Sequence, residues 1–199
     1  MRYKNALATI TIASAIAATT THLRAEEVQF DKLGMSVFVP DGWKQKFEEE
    51  PGRTTVLFQR PIVRKDKEVI GCLVNRLDQP GAFERYSQAQ LNEAYEKKPM
   101  GRLDWLAQFQ DHGMETVTDL DFGKSSLSGD PAYWSIMTTT QQENGRDFTF
   151  IMKTILSQTP HYAWNLHCTV MASGVAKAKN LYQTNEAVFE RVFESFRHQ

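Results

Sequence analysis

The chain has little of what enzymatic chemistry usually requires. Cysteine occurs only at positions 72 and 168 of 199 residues, too sparsely for a disulfide framework or a four-thiolate zinc site. No Gly-x-Ser-x-Gly is present, which excludes a nucleophile elbow of that kind. Gly123-Lys124-Ser125 resembles the end of a phosphate loop, but the glycine needed five positions earlier is Thr118. Beyond residue 25 the histidines are His112, His161, His167 and His198, and they show no helical metal spacing. On one strand His161 and His167 would stand roughly 20 Å apart at ~3.3 Å per residue, too far to share an ion. Cys168 adjoins His167, but neighbours on a strand point to opposite faces. Glu48-Glu49-Glu50 and the pair Asp119 and Asp121 read as solvated charge. No residue is assigned a catalytic, cofactor-binding or metal-ligating role, and the sequence-level expectation is a protein that is not an enzyme and needs no cofactor.

Positive charge in excess is also missing. Lys and Arg total 23 against 24 Asp and Glu, which argues against nucleic acid as a partner. Arg60, Arg64, Lys65 and Lys67 are interrupted by Asp66 and Glu68, as in a solvated hairpin tip. The apolar part of the N-terminal uncharged stretch is only about half of the ~20 residues needed to span a bilayer.

What is present begins with an export signal. Arg2 and Lys4 precede the uncharged stretch Ala6–Ala18, and the polar Thr19–Arg24 leads to small Ala25. That order reads as a cleavable signal peptide over residues 1–25, with Ala15-Ile16-Ala17 as an earlier alternative site. Removal takes away Arg2, Lys4 and Arg24 and no acid, so the formal charge moves from −1 to −4. The expectation is a periplasmic or secreted protein with no stable membrane anchor after cleavage and one domain over residues 26–199.

The remainder alternates like strands over Met35–Val39, Lys44–Glu49, Thr54–Arg60, Glu68–Leu77, Thr116–Leu127, Ala132–Gln142, Asp147–Leu156 and Tyr162–Ala172. The fourth is apolar enough at its centre to be covered on both faces. Asn144-Gly145 is a strong hairpin signal and implies an antiparallel pair. The period becomes helical where Ser87 and Gln90 form a capping box ahead of Leu91, Ala94 and Tyr95. A second helix is expected over Met100–Asp111 and a third over Ala176–Arg197, with Leu181, Val188, Phe189, Val192, Phe193 and Phe196 in one apolar stripe. The fold class is therefore α+β: an antiparallel sheet of about seven or eight strands flanked by helices.

Two site readings follow. Cys72 and Cys168 sit among apolar residues spaced two apart, so each shares the face of its neighbours. They can form a disulfide if their strands are adjacent and stay reduced thiols if other strands intervene. In the second helix, Leu103, Leu106 and Phe109 mark the expected buried side. Trp105 lies off that stripe and reads as either a local lid or a contact for a partner.

Met35-Ser36-Val37-Phe38-Val39-Pro40-Asp41-Gly42-Trp43, Leu127–Trp134, Tyr162–Cys168 and the closing Phe193-Glu194-Ser195-Phe196-Arg197 together resemble the PsbP/Mog-type family of DcrB-like periplasmic proteins. The resemblance implies an α/β/α sandwich and a non-enzymatic role in binding or supporting another protein; it says least about the helical segment 83–112. The leading functional expectation is an exported accessory protein acting through a protein–protein surface. The alternatives are a secreted effector or toxin-immunity protein, a hydrolase with an unfamiliar site, and a carrier of a small apolar ligand between helices and sheet.

Overall fold

A computed structural model describes residues 27–62, 68–79, 81, 83–111, 116–143 and 145–198. The signal segment 1–25, Arg64, Lys65 and Lys67 of the basic run, His112 and Asn144 lie outside the described residues.

Seven strands form the main sheet: β3 (Lys44–Glu50), β4 (Arg53–Gln59), β5 (Val69–Asp78), β6 (Val117–Leu127), β7 (Asp130–Glu143), β8 (Arg146–Gln158) and β9 (Tyr162–Ser173). Their order is β3-β4-β5-β9-β8-β7-β6, antiparallel at every step. Each local pair follows from its turn. Glu50 opposes Arg53 across Pro51-Gly52, where Gly52 has φ 76°, a conformation glycine adopts without the Cβ penalty. Glu143 opposes Arg146 at the hairpin signalled by Gly145. The step that sequence cannot supply is β5 beside β9, which closes two meanders into one sheet.

The strand at Met35–Phe38 (β2) does not join this sheet. It pairs with β1 (Glu27–Phe30) and with β10 (Arg197–His198) in a separate three-stranded sheet. Its alternation shows that it is a strand, but alternation carries no information about partners, and β1 and β10 are too short for a periodic signal. The Phe38 backbone N–H donates to Ser195 Oγ at 2.8 Å, which ties this small sheet to the last helix.

The helices are α1 (Gln88–Lys97), α2 (Arg102–Asp111) and α3 (Val175–Ser195). Ser87 caps α1 in the anticipated box with Gln90. Helix α3 buries Ala178, Tyr182, Phe189, Val192 and Phe193 against the sheet face that carries Val56, Ile70, Cys72, Val74, Leu166, Cys168 and Val170. A second apolar cluster joins Trp105 and Phe109 of α2 to Leu120, Met137 and Met152. Because side chains alternate along β7 and β8, these residues belong to the opposite sheet face. Tyr95 of α1 stacks on Tyr133 of β7 with ring centroids 4.8 Å apart. Among the described residues no helix is long and apolar enough to cross a membrane.

Candidate ligand cavity

Strand β9 shows how the two sheet faces differ. Trp164, Leu166, Cys168 and Val170 face α3, while the intervening Asn165, His167 and Thr169 face the other way. The same alternation on β5 turns Leu73 and Asn75 away from α3, and on β8 it does so for Phe150, Met152 and Thr154. On this second face α1 packs chiefly against β7 and α2 against β6. Where α2 ends its cover, a cavity of about 350 Å³ remains between Trp105, Gln108 and Phe109 above and Leu73, Asn75, Met137, Phe150, Met152, Thr154, Asn165, His167 and Thr169 below, with Arg53 also in its wall. This volume falls within the ~300–1,000 Å³ usual for small-molecule sites. A smaller hollow of about 140 Å³ continues over Leu57, Gly71, Leu73, His167 and Thr169. The centre of β5 is thus not covered on both faces as its apolar run suggests. One face is packed, and the other forms a cavity floor.

Trp105 is completely buried, whereas Leu103 is 79% exposed. Leu103 therefore falls outside the buried stripe in which it was expected, whereas Phe109 of that stripe is buried and Leu106 packs partly buried against the same cluster. Trp105 and Phe109 are four residues apart and stack with centroids 5.7 Å apart, and an indole brings more apolar area to a buried stripe than a leucine does. Trp105 therefore offers no exposed surface to a protein partner. Of its two sequence-based readings, the lid matches its position over the cavity.

The cavity is apolar at one end and polar at the other. Asn75 and Asn165 are opposed in register across β5 and β9. Asn75 Oδ1 accepts from Thr55 Oγ1 at 2.6 Å and from Arg53 at 3.4 Å. Met152 lies opposite Thr169, four residues along β9 from Asn165, and Met137 lies opposite Met152. Trp105 Nε1, Asn165 Oδ1 and Thr154 Oγ1 are buried without a hydrogen-bond partner in the protein, although buried polar atoms are nearly always paired. Thr154 is opposed to Ser135, whose hydroxyl is in the same condition. The indole N–H and the amide oxygen are the stronger signals.

Cys72 and Cys168 are directly opposed in register. A disulfide joins them, with an S–S distance of 2.06 Å and Cα atoms 4.0 Å apart. It lies on the α3 side of the strands whose other side forms the cavity floor. Adjacency of β5 and β9 resolves the alternative that spacing left open.

Among the described residues the remaining candidates form no second site. Gly123 lies within β6, where an added Cβ would stand 2.8 Å from Trp134 Nε1, so it is a packing glycine. His161 is exposed, with Nδ1 3.7 Å from Glu84. His198 Nε2 is 3.2 Å from Asp130 Oδ2, and Ser128 Oγ accepts the His198 backbone N–H at 3.1 Å. That serine is thereby engaged by backbone and not by the imidazole, so the three do not form a nucleophilic relay.

Sequence reasoning missed Arg53, Asn75, Thr154 and Asn165. A signal was available: polar residues occupy alternate positions of β9 between fully apolar ones, which marks a face that is not ordinary core. No family model matches the chain, and no curated protein matches it. Among solved structures, the chain is similar to LpqN, involved in cell envelope biogenesis of Mycobacterium tuberculosis, with 14% identity, TM-score 0.41 and 82% of each chain covered. It is also similar to PA94 of Pseudomonas aeruginosa, a protein of unknown function (12% identity, TM-score 0.36, 83% of this chain and 90% of that one). A Bacteroides thetaiotaomicron structure matches at 13% identity and TM-score 0.36 over 83% of this chain and 45% of its own length.

Proposed function

We propose that this is an exported, non-enzymatic binding protein that holds a small, largely apolar molecule between α2 and the sheet. The observation that carries the reading is the cavity wall: apolar side chains surround it, yet Trp105 Nε1 and Asn165 Oδ1 are buried in it without a protein partner. A buried polar atom left unpaired costs about 1–3 kcal/mol, and a ligand that pairs it recovers that energy on binding. The wall holds one imidazole and one guanidinium and no carboxylate or thiol, a set suited to holding a molecule. The disulfide and the N-terminal signal pattern support a periplasmic or secreted location. An α/β/α arrangement of PsbP/Mog type, with α3 on one face and α1 and α2 on the other, is part of the same proposal.

Native mass spectrometry of the full chain, isolated under mild conditions from cells that export it, tests this reading. A bound mass that is absent from a Thr169→Trp variant is expected. Bare protein in both samples counts against it.

A protein partner is the second reading. It is favoured by β3, an edge strand whose seven residues are all exposed, Phe47 among them. An unpaired edge presents backbone groups to an incoming strand.

A further inference from the structure

The two ends of the cavity specify more than an apolar occupant. At one end stand Arg53, Asn75 and Asn165. Asn75 Oδ1 is already engaged by Thr55 and Arg53, so what this side chain still offers is the amide N–H pair. The guanidinium adds further N–H donors and a fixed positive charge. Asn165 contributes oxygen or nitrogen according to the rotation of its amide. Among the described residues no carboxylate lies within ion-pair distance of Arg53, and none lines the cavity. This end is rich in donors and its wall carries the Arg53 charge with no carboxylate, while Glu48 and Glu50 stand on the neighbouring strand opposite Thr55 and Arg53, where Lys46 first and Arg53 after it lower the Glu48 pKa.

The other end is formed by Met137, Met152, Phe150 and Phe109. Met152 and Phe150 follow one another on the cavity side of β8, opposite Thr169 and Met171. From Asn165 to Thr169 the strand advances four residues, roughly 13 Å at ~3.3 Å per residue. Methionine is unbranched and polarizable, so it packs against an acyl or similar chain without demanding one shape. An occupant that satisfies both ends has an anionic head and an unbranched apolar tail of about that length.

We infer that the cavity binds a single-chain anionic amphiphile, its head held by Arg53 and Asn75 and its tail lying over β9 and β8 toward Met152. This rests on the ligand-binding reading above and names the class of ligand. Arg53 is exposed at the start of β4, so the head enters at the mouth and need not lose all its water. That orientation lowers the desolvation cost of placing a charge beside an apolar cavity.

Titration of the full chain with decanoate and with 1-decanol, each below its micelle concentration, separates the possibilities by isothermal calorimetry. Decanoate is expected to bind at least tenfold more tightly than decanol, because one head is charged and the tails are the same. Arg53→Gln is expected to lower decanoate affinity about tenfold and to leave decanol unchanged; Thr169→Trp is expected to abolish both. Equal affinity for the two probes, unaffected by Arg53→Gln, would overturn the anionic head while leaving a ligand cavity. Binding of neither probe would overturn both readings. Binding that persists in Thr169→Trp would place the amphiphile elsewhere and overturn the assignment.

Discussion

Cys72 and Cys168 are bonded on one side of the strand pair whose other side carries Leu73 and His167, also opposed in register, into the cavity. The disulfide therefore fixes the two strands, distant in sequence, that form the cavity floor. It closes a loop with a sequence separation of 96 residues, which in the chain-entropy model corresponds to about 4–5 kcal/mol. Denatured, unreduced protein is expected to show no free thiol by thiol counting. The double variant Cys72→Ala/Cys168→Ala is expected to lose about 4–5 kcal/mol in urea unfolding. Two free thiols per chain without prior reduction would contradict this account.

Gly123 and Trp134 are opposed across β6 and β7, and the indole lies over the glycine. A Cβ at 123 would stand 2.8 Å from Nε1 and 3.1 Å from Cε2, so the ring must move. Gly123→Ala is expected to destabilise by about 1–3 kcal/mol through overpacking. Most of this is expected to return in Gly123→Ala/Trp134→Phe, which removes the clashing ring atoms. Chemical denaturation of the four proteins of that cycle measures the coupling.

Burial and then the neighbouring Tyr133 push the Tyr95 hydroxyl up to about 12, against ~10 for an unfolded tyrosine. In that interval the unfolded chain gives up its proton while the folded one keeps it. Stability from this group is thus fully present below about pH 10 and is lost as pH rises through about 12. Tyr133 and Tyr182, both raised chiefly by burial, act in the same direction. Urea midpoints are expected to fall between pH 10 and 12, and Tyr95→Phe is expected to reduce that slope. An unchanged slope in the variant would remove Tyr95 from the explanation.

Tyr133 reaches beyond its own strand. Its hydroxyl donates to the backbone carbonyl of Tyr95 and lies 3.2 Å from that of Lys98, and so ties β7 to the end of α1. Tyr133→Phe is expected to cost about 1 kcal/mol, the net value of one such bond. Hydrogen exchange in α1 is expected to rise more than in β9. Equal change in both elements would show that the tie is not local.

Much of the local structure was legible in the sequence because local chemistry specifies it. The Ser87–Gln90 box starts α1, and eight alternating runs appear as strands. Tertiary relations were not legible. Alternation in Met35–Val39 predicted a strand but not its separate sheet. The spacing of Leu103, Leu106 and Phe109 in α2 placed Leu103 on the buried side, but Leu103 is exposed and Trp105 takes the buried position beside Phe109, because one indole outweighed the aliphatic pattern. The cavity was visible only as polar residues interleaved in β9, and its two walls come from segments about 60 residues apart, Trp105 and Asn165, whose meeting depends on strand order.

The claim that a ligand occupies the space between α2 and the sheet is tested most directly by methyl NMR of methionine-labelled protein titrated with decanoate. Met137 and Met152 line the cavity, whereas Met35 is buried in the other apolar cluster beneath α3. Saturable shifts at Met137 and Met152 with none at Met35 are the predicted result. Shifts at Met35 alone, or none at either cavity methionine up to saturation of the probe, would contradict it.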